Sequence, residues 1–262
     1  MFLTANLLFW VFPLVTTALI RQVFPLGYII KACDFLIDKI YRWAVDIDTF
    51  WLTSILGLKI NVIGEPPKVK TDSLLVISNH RSWFDIFILH FIITTNGPVV
   101  KFLVKKALVY IPIIGWICLA LKFPRLNRSS DKAQRKIDYN SVASATSEIK
   151  QGALALLNFV EGTRFTQSKK ADQKSPFDHL LKPRSGGLKI MMENLPNTQI
   201  LDITLAYPDD QINFWDCLSG KVTSIDVHID TYIPPETEKI NEWLSGLWQH
   251  KDKQIALSRK SS

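Results

Sequence analysis

Short apolar runs alternate with longer helical patterns along most of this chain, and this alternation limits the possible folds more than any other feature. The runs are rich in valine, isoleucine and leucine, and turn residues bound many of them. Such alternation predicts an α/β fold with a mostly parallel central sheet flanked by helices. The predicted strands are Lys59–Ile63, Leu74–Ser78, Val99–Val104, Ala155–Val160, Ile200–Tyr207 and Thr223–Ile229. The predicted helices are Trp83–Thr94, Lys105–Leu121, Asp131–Gln151, Ser185–Asn194 and Thr237–Leu257.

The N-terminus carries a separate signal. Phe2–Ile20 is 19 residues without a charged side chain, long enough to cross about 30 Å of hydrocarbon. Arg21 and Lys31 follow it, so the positive-inside rule places the rest of the chain on the cytoplasmic side. Pro13 would kink the segment, which leaves a shallow in-and-out anchor open beside a true span. A cleaved signal peptide is disfavoured, because no basic residue precedes the apolar stretch.

An amphipathic helix is predicted next, over Tyr28–Leu56, with polar residues at steps of three and four. Its apolar face could lie in the membrane interface or pack on the folded domain, and both alternatives stay open. We therefore divide the 262 residues into an anchor with its amphipathic helix, 1–57, and one domain, 58–262. Within that domain the lysine-rich segment Thr166–Arg184 is predicted to be a mobile surface loop.

Positive charge is concentrated between residues 101 and 136, where nine Lys or Arg face one acid, although the whole chain carries a net charge of only +7. Such a block attracts phosphate, nucleic acid or anionic lipid. The apolar N-terminus favours a lipid partner and a membrane location, in a bacterial inner membrane or its equivalent, over nucleic acid. The cysteines, Cys33, Cys118 and Cys217, lack the spacing of a disulfide framework or a zinc site, which favours a reducing compartment.

The motif with the most chemistry is Asn79–Asp85, directly after the predicted strand Leu74–Ser78. His80 and Asp85 can meet only if the chain turns between them, because five positions do not align on one helix face. An aspartate that holds one imidazole nitrogen leaves the other free to accept a proton from a hydroxyl. Alternatively, Ser82 and Asp85 form a helix capping box and His80 is an ordinary loop residue.

Two further elements lie at strand ends or helix breaks. Glu161, Gly162, Thr163 and Arg164 follow a predicted strand, where an arginine can grip a phosphate, although Glu161 and Arg164 could equally be a surface ion pair. Pro112 and Gly115 interrupt an apolar stretch whose inside could be ordinary core or the wall of a slot for an alkyl chain.

In this order and spacing, the blocks resemble the glycerolipid acyltransferase family. They are Asn-His-x4-Asp, Lys…Pro-x-x-Gly…Arg128, Glu-Gly-Thr-Arg and an apolar strand that ends before Pro208. The resemblance implies that His80 is the general base and Asp85 its orienting partner. It also implies that Arg128, Glu161, Gly162, Thr163 and Arg164 hold the acceptor, whereas Pro208 lies on the acyl-donor side. Phe-Val-Glu-Gly-Thr-Arg-Phe-Thr is more similar to the branch that includes lysocardiolipin and other lysophospholipid acyltransferases.

The implied reaction moves a fatty acyl group from acyl-CoA or acyl carrier protein to the sn-2 hydroxyl of lysophosphatidic acid or a related lysophospholipid. Neither a metal nor a cofactor beyond this co-substrate is expected, since no His-Glu-x-x-His set occurs. Two alternatives remain: a lipid hydrolase that uses the same His and Asp, and a non-enzymatic membrane-attached lipid-binding protein. A serine hydrolase is disfavoured by the absence of a Gly-x-Ser-x-Gly elbow.

Overall fold

A computed structural model describes residues 2–66, 73–95, 97–127, 132–147 and 154–261. The strands in these ranges are β1 (Lys59–Gly64), β2 (Leu74–Ser78), β3 (Val99–Phe102), β4 (Val104–Lys105), β5 (Arg125–Leu126), β6 (Leu154–Phe159), β7 (Ile200–Ala206) and β8 (Ser224–Tyr232). The α-helices are α1 (Phe2–Val23), α2 (Gly27–Phe50), α3 (Asp85–Thr94), α4 (Ile114–Ala120), α5 (Lys132–Ser147), α6 (Gln167–Gln173), α7 (Ser185–Asn194), α8 (Phe214–Leu218) and α9 (Ile240–Ser261). Shorter helical turns are the π-helical Trp51–Ile55 and the 3₁₀-helical Lys106–Tyr110 and Thr237–Lys239.

The central sheet has the strand order β1-β8-β7-β2-β6-β3, and its pairs are parallel except for the antiparallel pair β7–β8. The mostly parallel α/β fold predicted from the sequence is therefore confirmed. Because β2, β3, β6 and β7 run in the same direction, their carboxyl ends meet at one edge. In sheets of this kind that edge usually carries the ligand site.

Helices cover both faces of the sheet, and β2 is buried between them. Val76 packs into a core that includes Ile88 of α3 and Ile40 of α2. Its neighbours Leu75 and Ile77 face the opposite way, into a core with side chains of α7 and α9. This burial on both faces explains why β2 is a continuous apolar run rather than an alternating one.

The N-terminal helices form an antiparallel hairpin, since Asn6 contacts Asp48 near its open end and Arg21 contacts Asp34 near its turn. One side of the hairpin packs on the sheet core. The other side exposes large apolar residues on both helices, including Phe9, Phe12, Leu19, Phe35, Trp43 and Phe50. The described part of α2 thus packs on the domain with one face and leaves an apolar face uncovered. In the described chain, α1 is the one helix long and apolar enough to cross a membrane.

The predicted loop Thr166–Arg184 is wrong in part. Thr166 caps α6 by accepting a hydrogen bond from the backbone of Lys169, and Phe177, Leu180 and Leu181 are buried. The many lysines suggested a solvated segment, but these three apolar side chains anchor it to the core.

The predicted helix Lys105–Leu121 is broken in the structure. It divides into the 3₁₀ turn Lys106–Tyr110 and the helix α4, with Pro112 between them. Gly115 fits only because it has no side chain, since a Cβ there would lie 2.0 Å from the carbonyl oxygen of Val109. The break turns the apolar side chains of this segment towards the region beneath α1.

Candidate active site

The loop after β2 brings His80 and Asp85 together. Asn79 extends the strand through its side chain, which donates to the carbonyl of Leu205 at 2.9 Å and accepts from the Leu205 amide at 2.8 Å. The chain then turns into α3, whose first residue is Asp85. As a result, Nδ1 of His80 lies 2.8 Å from Oδ2 of Asp85, the contact expected from the sequence.

Asp85 is fully buried and surrounded by donors. Its Oδ2 also accepts from the backbone amides of Arg81 at 2.6 Å and Ser82 at 3.0 Å, and its Oδ1 accepts from the Tyr207 hydroxyl at 2.6 Å. Because these groups all donate to the carboxylate, Nδ1 of His80 is best placed as a further donor. The Nε2 nitrogen then carries a lone pair.

Only one of the two hydrogen bonds of the alternative capping box is present. The Ser82 amide donates to Asp85, but the Ser82 hydroxyl accepts from the amide of Phe84 and not from that of Asp85. A capping box needs both bonds. Asp85 therefore supports the turn and holds His80 at the same time.

The imidazole of His80 stacks on the ring of Phe159, with 3.8 Å between centroids and 13° between planes. Phe159 ends β6, the neighbour of β2. The stacking and the Asp85 contact together fix both the position and the tilt of the imidazole.

His80 borders an apolar cavity of about 660 Å³. Its walls come from α1, α2, α3 and the 3₁₀–α4 segment, including Leu108, Ile114, Ile117, Cys118 and Leu121. The same side chains belong to the hydrophobic core or pack against it, so this stretch is both core and cavity wall, and its use as a slot for an alkyl chain stays a prediction. Two cationic residues, Lys105 and Arg164, also border the cavity together with Gly162 and Thr163.

Glu161 lies apart from the cavity. It is fully buried, its Oε2 accepts from the amide of Leu181 at 3.4 Å, and no described residue pairs with its Oε1. Burial raises the pKa of Glu161 to about 8, against the lowering charge of Arg81. The carboxyl group of Glu161 is buried and does not border the cavity, and the role in holding the acceptor that the resemblance implies for Glu161 stays a prediction.

The rest of the Glu-Gly-Thr-Arg motif faces outward. Gly162 has a φ of 73°, which permits the turn that presents the motif. Phe165 donates its amide to the carbonyl of His80 at 2.8 Å and ties the motif to the histidine loop. Arg164 is exposed, with its guanidinium 4.8 Å from the centroid of the Trp83 ring, so the surface ion pair with Glu161 is excluded.

The resemblance implied two further site residues, Arg128 and Pro208, and their roles stay predictions. Arg128 lies outside the described residues. Pro208 ends the β7 segment in an exposed position and does not border the cavity. Within the described ranges, no three His, Cys, Asp or Glu side chains cluster as ligands for a metal ion would.

Several residues of the site were not singled out from the sequence. Tyr207 contacts Asp85, and Lys169 donates to the Thr163 hydroxyl at 3.0 Å and the Arg164 carbonyl at 2.9 Å. Arg81 is buried against Asp210, 2.8 Å away, and the Phe165 ring. Two of these residues had a sequence signal: Arg81 lies inside the histidine motif, and Tyr207 directly precedes Pro208.

A histidine held by a carboxylate at the carboxyl edge of a mostly parallel sheet, beside an apolar cavity, defines a class of α/β protein with a candidate acid–base site next to a pocket for an apolar group. The sequence comparison makes the class specific. The profile of the Acyltransferase family matches residues 59–207, more than half of the chain, and the protein belongs to that family.

Relatives carry consistent names. The chain is 25% identical to a "Probable 1-acyl-sn-glycerol-3-phosphate acyltransferase 5" of Arabidopsis thaliana, over 94% of this chain and 67% of that protein. It is 26% identical to the "1-acyl-sn-glycerol-3-phosphate acyltransferase delta" of Bos taurus, over 71% of this chain but only 53% of the bovine protein. The chain thus spans about half the length of the bovine relative.

A solved structure has the same fold. The crystal structure of the 1-acyl-sn-glycerophosphate (LPA) acyltransferase PlsC from Thermotoga maritima matches with a TM-score of 0.56, over 97% of this chain and 98% of that one. At 15% identity the match establishes the architecture and not the substrate.

Proposed function

We propose that this protein transfers a fatty acyl group from acyl-CoA or acyl carrier protein to the sn-2 hydroxyl of lysophosphatidic acid or a related lysophospholipid. One observation carries the proposal: Asp85 holds Nδ1 of His80, and the imidazole borders an apolar cavity with its Nε2 free of any hydrogen bond to the described residues. The names of the relatives support the same acceptor class.

An alcohol attacks a thioester poorly until a base removes its proton, and a positioned base contributes about 10²–10⁴-fold. In the proposed reaction Nε2 of His80 takes the proton as the hydroxyl oxygen bonds to the thioester carbonyl carbon. The tetrahedral intermediate then collapses, the C–S bond breaks, and the imidazolium returns the proton to the leaving thiolate. Asp85 stabilises the imidazolium during this interval. No metal or further cofactor is needed.

The charged end of the acceptor is assigned to the cations around the cavity. Arg164 offers parallel N–H groups that suit a phosphate, and Lys105 adds a second positive charge. Gly162 and Thr163 complete this side, and Lys169 supports their loop. We place Arg128 in the same group on the resemblance alone.

We infer that the α1–α2 hairpin lies in one leaflet. A span by α1 would draw α2 into the hydrocarbon, because only three residues join them. Charged groups in hydrocarbon are costly, and α2 carries Lys31, Asp34, Asp38, Lys39, Arg42, Asp46 and Asp48. The exposed aromatic residues of the hairpin suit the interface instead, and Arg21 favours the cytoplasmic leaflet.

The test is an acyl-transfer assay with labelled donor, a panel of lysophospholipids, and both donor types. Label in phospholipid supports the proposal, and His80→Ala should lower that rate by at least about 10²-fold without loss of folding or membrane binding. Label in free fatty acid with every acceptor would instead identify a hydrolase. Bound lipid without turnover would identify a binding protein.

A further inference from the structure

The cavity beside His80 is apolar except for a few groups, and four of these come from the N-terminal hairpin. One is Tyr41 of α2, whose hydroxyl donates to the carbonyl of Val100 at 3.3 Å. The other three are Asn6 and Trp10, one helical turn apart on α1, and Asp48 on α2. The Asn6 amide nitrogen donates to Oδ1 of Asp48 at 2.8 Å and to the carbonyl of Ala44 at 3.0 Å. All three residues border the cavity, and we refer to them together as the polar patch.

The patch is not internally satisfied. Nε1 of Trp10 is buried, and no described residue accepts a hydrogen bond from it. Oδ2 of Asp48 has no hydrogen bond to the described residues, but Asp48 is only partly buried. Burial raises the pKa of Asp48 to about 7, so near neutrality its carboxyl group can also donate. Unsatisfied buried polar groups are costly, and an entirely apolar chain would leave the Trp10 N–H unsatisfied.

We infer that Asn6, Trp10 and Asp48 form a subsite for an oxygen atom carried within the lipid that fills the cavity. This subsite depends on the proposed function and specifies a chemical feature of the substrate. An oxygen placed there can accept from the Trp10 N–H, and a hydroxyl can also donate to Asp48. Two sources fit this chemistry: a hydroxyl on the donated acyl chain, or the ester at the first position of the acceptor.

A purely structural use of these residues predicts something different. If the Asn6–Asp48 bond only ties α1 to α2, its loss should lower activity with all lipids equally. A binding subsite instead predicts a change in selectivity between an oxygen-bearing lipid and its plain counterpart. The ratio of kcat/KM values for the two lipids separates these cases.

Trp10→Phe is the sharpest variant, because it keeps an aromatic ring at this position and removes the N–H donor together with part of the indole. Asp48→Leu removes the carboxyl group, and Asp34→Asn is the matched control, since Asp34 also ties the two helices through Arg21 but lies outside this cavity. The donor arm compares hydroxylated with plain acyl-CoA. The acceptor arm compares ester-linked with ether-linked lysophosphatidate, which lacks the carbonyl oxygen of the ester; in this arm the carbonyl oxygen is the one tested.

In one arm we expect Trp10→Phe and Asp48→Leu to lower the preference for the oxygen-bearing lipid about tenfold, or about 1.4 kcal/mol. The control should leave that ratio unchanged, and the arm that responds identifies the source. If acyl transfer is observed but neither arm shows a change in the kcat/KM ratio, the subsite is overturned and the proposed function stands. No transfer from any donor to any acceptor would reject the proposed function, and the subsite with it.

Discussion

At the residue scale, the site is organised around one carboxylate. Asp85 accepts from His80, two backbone amides and Tyr207, so both of its oxygens are occupied. Such a fully bonded carboxylate cannot rotate, and it therefore fixes the imidazole plane. Among the described residues, only Tyr207 contacts the oxygen that His80 does not use. Burial raises the pKa of the Tyr207 hydroxyl well above its ordinary value, so the hydroxyl remains a donor.

Tyr207→Phe should therefore lower kcat about tenfold and leave KM for both substrates unchanged, because the orientation of the base is disturbed and not substrate binding. Loss of the hydrogen bond should cost about 1–3 kcal/mol of stability. Steady-state kinetics and thermal melts measure both effects. Tyr232→Phe, at a tyrosine outside the site, is the control, and an equal kinetic loss there would contradict the assignment.

At the element scale, the N-terminal hairpin and the broken α4 segment build the cavity on one face of the sheet. Neither element could do so alone. The hairpin contributes one wall and the 3₁₀–α4 segment another, and α1 packs directly against α4. The exposed apolar side of the hairpin then faces away from the sheet.

Charges placed on that exposed side should weaken membrane binding. Phe9 and Phe12 are 66% and 77% exposed, and the double change Phe9→Asp with Phe12→Asp should reduce flotation with liposomes severalfold without unfolding the sheet. Ile233→Asp is the matched control, since Ile233 is 84% exposed on the loop before α9. Equal loss with the control would mean that the hairpin is not the binding element.

The first turn of α4, which packs against the 3₁₀ segment, should also be sensitive to substitution. Gly115→Ala places a methyl group against the Val109 carbonyl, so we expect a destabilisation of about 1–3 kcal/mol and a changed cavity. Gly246→Ala in α9, where the added Cβ meets nothing within 4 Å, should instead stabilise by up to about 1 kcal/mol. Urea unfolding curves distinguish the two, and similar free energies of unfolding would contradict the close contact.

At the scale of the whole molecule, the C-terminal helix α9 is tied to the loop that carries the histidine. Arg259 and Arg81 both contact Oδ1 of Asp210, at 2.6 and 2.8 Å. Deeper along the helix, Lys251 is buried 2.6 Å from Asp202 of β7. Buried titratable groups of this kind, Glu161 among them, make the stability of the entire fold depend on pH.

Glu161→Gln tests that dependence. The pKa of Glu161 is raised in the folded protein to about 8 from an ordinary 4.5, so its contribution to stability is present below pH 4.5 and is lost as pH rises through 8. Each unit of pKa corresponds to about 1.4 kcal/mol, so wild type should lose a few kcal/mol relative to the variant between pH 5 and 9. Thermal melts of wild type and Glu161→Gln across this pH range measure the difference, and Glu236→Gln, at an exposed glutamate, is the control. If the stabilities of wild type and Glu161→Gln change in parallel with pH, the prediction is contradicted.

Local patterns in the sequence determined the strand order along the chain, the position of the histidine loop and the apolar N-terminus. These features depend on residues close in sequence, where periodicity and the turn from β2 into α3 leave few alternatives. The prediction of a mobile loop over Thr166–Arg184 failed because many polar residues surround a few apolar residues that are buried in the structure. The division at residue 57 stays a prediction.

Apart from the His80–Asp85 pair, only the tertiary structure decided which side chains share the site. Tyr207 reaches Asp85 across 122 positions, and Asn6 reaches Asp48 across 42, distances over which sequence spacing carries no geometric information. The parallel alignment of β2, β6 and β7 brings their ends to one edge, while the same packing buries Glu161 away from the cavity and places Arg164 at its border. Burial is a property of the assembled fold, and it separates these two neighbouring residues.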